Sequence, residues 1–397
     1  MSILVLNSGS STLKFALFNK LAEEELVRGT LDWQSQSEGV TLAYESQKIS
    51  KTESRLDISN NRDAVEWILH VLAEINLGKS IRAVGHRVVH GGTKFCQPTL
   101  IKEKVLQSLK EVSELAPLHN PPALTTIEAA QTILPEAVHV AVFDTAFFAA
   151  LPRSAYLYPV PYEWYEQFGI RRFGFHGISH EYCSTRAAEL LDRQNDDSLK
   201  LVICHLGNGC SATAMLGGSP LATTMGFTPL EGLMMGTRSG SIDPGILIHL
   251  MKQQGFNPEQ LDQSLNHQSG LLGVSDVSSD FRQIEQAAQE KNERAQLAIK
   301  MFVERIQSTI GSLSVLLGGI DALIFTAGIG EHSPLLRSSV CDKLQFLGLE
   351  LDEAKNQTAH TDTDLATKQS AGRILLIQTR EEKMIARAAQ RFIREPN

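Results

Sequence analysis

Apolar positions change period several times along the chain, and the changes mark its elements. Ile3–Leu6 and Phe15–Phe18 are short apolar runs flanking a small polar stretch, which predicts a strand, a turn and a strand. Ala64, Val65, Ile68, Leu69, Leu72 and Ile75 recur three and four residues apart, the spacing of a helix with one buried face. Val138–Phe143, Leu201–Cys204 and Ala322–Thr326 are unbroken apolar runs of strand length. The first ends at Asp144, the second in His205-Leu206-Gly207-Asn208-Gly209 and the third in Ala327-Gly328-Ile329-Gly330. A helical pattern covers about 283–317, a last strand is predicted over 373–378, and a closing helix starts near Glu381. This alternation predicts an α/β protein whose active loops lie at strand ends.

One pattern recurs at long range. Leu4-Val5-Leu6 leads into Asn7-Ser8-Gly9-Ser10-Ser11 much as Val202-Ile203-Cys204 leads into His205–Gly209. Two such strand–turn–strand units, near the start of each half, suggest two related domains facing across a cleft. Coincidence is the competing reading, since hairpins are common.

Composition narrows the class. The chain has 397 residues, 42% hydrophobic and 21% charged, with net charge −8. That length suggests two or three domains, and the balance excludes a disordered tail or a coiled-coil rod. The acidic net charge offers no sign of a nucleic-acid or anionic-membrane surface. The first residues lack the basic segment of a secretory signal, and 306–320 is too short and polar for a membrane span. Five scattered cysteines with no CxxC pair indicate neither a disulfide framework nor a thiolate zinc site. The expectation is a soluble protein of a reducing cytoplasm.

Several segments have chemical potential. In Asn7–Lys14 a glycine, hydroxyls and one ammonium suit an anion-binding nest, although a polar hairpin explains the same residues. It is not a GxxxxGK[ST] loop. In Gly85–Gly92, strand alternation puts Arg87 and Val89 on one face, with His86 and His90 on the other. His86 and His90 lack the HExxH context of a zinc pair. Arg87 beside Val89 offers a carboxylate or phosphate fork next to an apolar surface, or else a structural ion pair. His176, between Phe173-Gly174-Phe175 and Gly177, reads as a pocket wall or as a satisfied core histidine. Residues 223–245 form a long Gly-rich loop containing Arg238 between small neighbours.

Together these segments resemble the acetate kinase family, the acetate/propionate kinases, over the whole length. NSGSSTLK and MGFTPLEGLMMGTRSGSIDPG are the most specific stretches; GHRVVHGG, LHNPP, VFDTAF, RRFGFHG, CHLGNG, SSDFR and AGIGEH support them. The resemblance implies two duplicated ribonuclease-H-like domains of the acetate kinase, sugar kinase, heat-shock-70 and actin superfamily, with an interdomain cleft. Domain I would be 1–147 plus 383–397 and domain II 148–382. It implies Mg²⁺-dependent, reversible phosphoryl transfer from ATP to acetate, giving acetyl phosphate and ADP, by a cytoplasmic homodimer; Mn²⁺ could replace Mg²⁺. Asn7 and Glu381 would hold the metal. Lys14 would contact phosphates, with His205, Leu206, Gly207, Asn208, Gly209, Asp280, Phe281, Arg282, Gly328, Ile329, Gly330, Glu331 and His332 forming the nucleotide site. Arg87 would bind the substrate carboxylate beside an apolar pocket of Val89, Leu118, Phe175 and Pro229. Asp144, His176 and Arg238 would be catalytic.

Departures from the family pattern are Thr12, Cys210, Phe148, Ile178, His332 and Arg380. Phe148 and Ile178 bear on pocket size and His332 on nucleotide preference. A propionate or butyrate kinase is the nearest alternative. A sugar kinase would need a base and polar sugar contacts, and a nucleotide-switch protein would not need Arg87 and Arg238 beside an acyl pocket. Because a carboxylic acid is already ionised at neutral pH, Asp144 is expected to position groups rather than remove a proton.

Overall fold

A computed structural model describes residues 1–9, 12–32, 40–46, 50–55, 58, 60–78, 80–113, 116 and 120–393. The chain divides into two compact units, one of Met1–Ala149 with Arg380–Asn397 and one of Ala150–Thr379. The sequence-derived divisions lie two or three residues away, after 147 and 382.

The first unit contains β1 (Ser2–Ser8), β2 (Thr12–Asn19), β3 (Glu25–Asp32), β4 (Val40–Ser46), β5 (Ser50–Arg55), β6 (Ile81–Val88), β7 (Thr99–Leu100) and β8 (Val138–Phe143). Among the described residues they form one sheet in the order β5-β4-β3-β2-β1-β6-β8-β7. β1, β2 and β3 are an antiparallel meander, while β6 and β8 continue the sheet parallel to β1. The periodic segment around Ala64 is a helix, Asn61–Glu74, capped by the Asn60 side chain. Its Val65, Ile68 and Leu72 join Leu4, Leu13, Phe15 and Leu31 in one core.

The second unit contains β9 (Lys200–Leu206), β10 (Cys210–Leu216), β11 (Ser219–Thr223), β12 (Ala322–Thr326), β13 (Thr363–Asp364) and β14 (Arg373–Leu376). Its sheet runs β11-β10-β9-β12-β14-β13. Here β9, β10 and β11 are the antiparallel meander, and β12 and β14 are the parallel additions. Six strands of each sheet therefore share one topology, β3-β2-β1-β6-β8-β7 and β11-β10-β9-β12-β14-β13, the last of each antiparallel to its neighbour. That agreement supports duplication over coincidence.

The helix expected over 283–317 is two helices, Phe281–Gln289 and Glu293–Leu317. The apolar period continues across the break, but the backbone does not. Lys291 has φ 67°, a left-handed conformation that ends a helix, and the Asn292 side chain caps the next one by accepting from the Ala295 N–H. Among the described residues no helix is long and apolar enough to cross a membrane.

The closing helix, Glu381–Gln390, packs on β1 and β6. Gly85 makes the close approach possible: a Cβ there would lie 2.6 Å from Ile385 Cγ2. Gly85→Ala is expected to cost about 1–3 kcal/mol through overpacking, read as a lower urea midpoint with an unchanged m-value.

Three histidines of this unit are held neutral. His86 Nε2 and His139 Nδ1 are 3.0 Å apart, so a zinc pair of His86 with His90 is not formed. His90 Nδ1 accepts the Gly92 N–H at 2.9 Å, and burial pushes its pKa down to about 4. Burial also lowers His86 and His139. Below about pH 6.5 the unfolded chain takes up protons that folded His90 refuses until about pH 4. Stability should therefore fall across that window, by roughly 3 kcal/mol for His90 alone. Urea midpoints at pH 7.5 and 5, in wild type and His90→Asn, check this: the acid-dependent loss should shrink in the variant.

Candidate functional site

Of the side chains expected at the site, those of the first unit gather where loops leave the carboxyl ends of parallel strands. In the first unit Arg87 is the penultimate residue of β6, Asp144 follows β8, Asn7 lies near the end of β1 and Glu381 opens the closing helix. One guanidinium gathers the other three. Arg87 donates from Nε to Asp144 Oδ1 at 3.2 Å, from Nη2 to Asp144 Oδ2 at 2.5 Å and from Nη1 to Asn7 Oδ1 at 3.2 Å. Glu381 Oε2 is 3.8 Å from Arg87 Nε. Burial by itself would lower the Arg87 pKa, but the carboxylates of Asp144 and Glu381 outweigh it and raise it. Asp144 is fully buried, so the forked pair is the means by which its charge is tolerated. Lys14 is exposed directly across from Asn7 in the β1–β2 register.

Asn7, Asp144 and Glu381 are all oxygen donors, the set that suits a hard cation such as Mg²⁺. Among the described residues no three His, Cys, Asp or Glu side chains make a metal site of their own. The donors therefore fit a cation whose remaining ligands come from a bound phosphate or water, rather than an all-protein cage.

In the second unit His176 caps the helix Gly177–Leu190 in a left-handed conformation, φ 59°. A non-glycine residue held this way is strained, and such strain clusters at functional sites. Its Nδ1 is 2.9 Å from Ser211 Oγ, and His180 Nε2 is 2.8 Å from the same oxygen. A hydroxyl has one proton, so Ser211 donates to one ring and accepts from the other. Burial and neighbouring His205 press His180 well below the usual histidine range, keeping it neutral. When His176 is protonated, its Nδ1–H donates to Ser211, and Ser211 donates to His180. The His176 ring also stacks on His205, with centroids 4.1 Å apart, and His205 Nδ1 is fixed 2.8 Å from Ser179 Oγ.

Arg238 closes this arrangement. Nη1 donates to Pro229 O at 2.7 Å. A Cβ on Gly209 would lie 3.1 Å from Arg238 Nη2 and 3.4 Å from His176 Nε2. Gly209 thus lets both side chains lie closer to the turn than a Cβ would allow. Burial lowers the Arg238 pKa, and no carboxylate among the described residues pairs with it. Unlike Arg87, it is an uncompensated guanidinium, the feature expected of an anion site.

The remaining expected residues divide. Leu206 is buried at the end of β9, and the Gly207 N–H donates to Gly209 O across the turn. Asn208 packs against Gly236, where a Cβ would meet its Oδ1 at 2.0 Å. Gly328 is exposed with open space beside it, and Ile329 is half-buried. Gly330 is buried on Phe325 and Leu206. His332 is exposed, its Nδ1–H donating to Gly328 O at 2.9 Å. Glu331 turns inward: its carboxylate accepts from the N–H groups of Ala327 and Thr379, and burial raises its pKa. Asp280 caps the helix that Phe281 begins and is forked by exposed Arg282. Phe281 is 4% exposed and packs on Phe302, a core position. Val89 and Pro229 are half-buried, whereas Phe175, Phe148 and Ile178 are essentially inaccessible. Leu118, Ser10 and Ser11 lie outside the described residues.

Ser179, His180 and Ser211 escaped the sequence reading. The signal was the four-residue spacing of His176 and His180 at the start of one helix, which brings two rings to one hydroxyl.

Comparison with known proteins gives a consistent result. Residues 2–387 match the model of the acetokinase family. An acetate kinase of Nostoc punctiforme is 48% identical over 97% of this chain and 98% of its own length. One from a Cyanothece species is 46% identical over 99% and 98%. Among solved structures, a propionate kinase from Francisella tularensis superposes with TM-score 0.92 at 39% identity, covering 99% of this chain and 100% of its own. Porphyromonas gingivalis acetate kinase gives 0.88 at 38%, covering 98% and 99%.

Gly209→Ala tests this convergence. The added methyl would stand 3.1 Å from Arg238 Nη2 and 3.4 Å from His176 Nε2, so one of them shifts slightly, and turnover is expected to fall several-fold, less than the ~10²-fold of a 1 Å misplacement, with the thermal midpoint little changed.

Proposed function

The chain belongs to the acetokinase family, and from that membership we infer that it is an acetate kinase, ATP + acetate ⇌ ADP + acetyl phosphate. One observation supports the chemistry most directly: Arg238, paired with no carboxylate among the described residues, and His176 converge on the Gly209 turn. In phosphoryl transfer the protein mainly aligns reactants and offsets negative charge on the moving group. A carboxylate oxygen of acetate attacks the γ-phosphorus as the bond to the ADP oxygen breaks. His176 and Arg238 would neutralise charge on the transferring phosphoryl oxygens.

We assign Arg87 to the substrate carboxylate, with Val89, Leu118, Phe175 and Pro229 toward its methyl group. The acceptor is ionised before it binds, so no base is required. Asp144, forked by two N–H groups of Arg87, fits a positioning part. Lys14, the turn 205–209, 280–282 and 328–332 are assigned to ATP. Asn7 and Glu381 would hold Mg²⁺ (or Mn²⁺), which when bound supplies positive charge to the phosphate oxygens. Within the nucleotide loops, exposed Asn208, Arg282, Gly328 and His332, with half-buried Ile329, are available to a ligand, and Phe281 and Glu331 would act from beneath.

Homodimerisation is proposed from the family resemblance, and exposed Leu297, Val315 and Leu316 on the helix Glu293–Leu317 support it. A cytoplasmic location is supported by five free cysteines, four of them buried.

A propionate-preferring enzyme is the second reading, favoured by the Francisella structure. Hydroxamate capture of acyl phosphate, with Mg·ATP and formate, acetate, propionate or butyrate, separates the two. Acetate should lead propionate by about tenfold or more in kcat/KM, near 1.4 kcal/mol. Parity or a propionate lead rejects acetate preference, and no product with any acid rejects the carboxylate-kinase reading. Arg87→Ala should raise the KM for acetate far more than that for ATP.

A further inference from the structure

Arg238 does not hold its own position: among the described residues the only acceptor fixing Nη1 is the carbonyl of Pro229, which belongs to an irregular loop. What holds that loop holds the arginine. The loop 224–232 is anchored through three side chains that the mechanism above leaves unused. Glu231 Oε1 takes Arg172 Nη2 at 2.6 Å, and Glu231 Oε2 accepts from the Tyr158 hydroxyl. That hydroxyl in turn accepts the Phe227 N–H at 2.8 Å. Arg172 Nη1 also donates to the carbonyls of Thr224 and Met225, at 2.8 and 3.0 Å. Gly226 lies within the clamp, where a Cβ would come 1.7 Å from Glu231 Oε2 and 2.1 Å from Tyr158 Oη. Its carbonyl accepts the N–H of Phe173 at 3.0 Å, tying the loop to the segment that leads to Phe175 and His176.

We propose that the Arg172–Glu231–Tyr158 clamp is a positioning device for Arg238, acting through loop 224–232 and the Pro229 carbonyl. Each of its hydrogen bonds fastens one end of the loop, and Pro229 lies between the fastened points at 224–227 and 231. Slack at Glu231 is passed to Pro229 O, and Arg238 Nη1 follows that acceptor, withdrawing Nη2 from its place beside Gly209 and His176. The same displacement moves Pro229, assigned above to the acyl pocket, so acid selectivity should loosen along with turnover. The proposal rests on the assignment of Arg238 to the transferring phosphoryl group.

The test is a double-mutant cycle of Glu231→Gln with Arg238→Lys, read as kcat and as the KM values for ATP and acetate. Arg238→Lys keeps the charge and loses the fork. Glu231→Gln alone should lower kcat about tenfold with the KM for ATP unchanged within about twofold; on the Arg238→Lys background it should lower kcat by less than about twofold, since the two act through one contact. Multiplicative losses, or an unchanged kcat in Glu231→Gln, overturn the clamp. Full activity of Arg238→Lys alone instead overturns the role given to Arg238. Tyr158→Phe, which keeps the Arg172–Glu231 pair, guards against misfolding. It should show the same kcat loss and the same non-additivity at an unchanged thermal midpoint, and an additive loss counts against the proposal.

Discussion

The forked pair between Arg87 and Asp144 organises the first unit. A carboxylate with no solvent exposure is tolerable only when paired and hydrogen-bonded, and Arg87 supplies both at 2.5 and 3.2 Å. The pair also fixes which strands must be neighbours. β6 brings the arginine and β8 the carboxylate, and β1, on the other flank of β6, brings Asn7. The parallel register aligns the ends of these strands, and Gly85 lets the closing helix approach closely enough for Glu381 to join them. On the role proposed for Arg87, affinity for an incoming acid is a difference between two ion pairs, the one made and the one given up.

The second unit has the same six-strand topology and the opposite electrostatics. Its loops leave a guanidinium uncompensated and fix an imidazole through a hydroxyl shared with a neutral histidine. The scaffold does not dictate either outcome. What differs is the side chain at each strand end: Asn7 and Asp144 in one copy, His205 and the Gly207–Gly209 turn in the other.

Much of this was legible in the sequence, for a physical reason. Strands buried on both faces read as continuous apolar runs, so β8 and β12 match their expected ranges and β9 is longer by Lys200, His205 and Leu206. The chemistry at their ends was visible because small and charged residues interrupt those runs. The break at Lys291–Asn292 was not visible, because an apolar stripe reports which side is buried and not whether the backbone is continuous. Phe281 and Glu331 illustrate a second limit. Membership of a motif does not say which way a side chain turns, and both turn inward. The clamp at Glu231 was hidden for the opposite reason: its three partners come from positions 158, 172 and 231, and no local pattern links them.

The closing helix has a consequence for how the protein is made. It packs on β1 and β6, yet it is separated from Ala149 by all of residues 150–379. On a ribosome adding about 5–20 residues per second, those 230 residues take ~10–50 s. For that interval the first sheet lacks the helix that Gly85 is shaped to receive, while the second unit, continuous in the chain, has all its strands. The unit begun first is the one completed last.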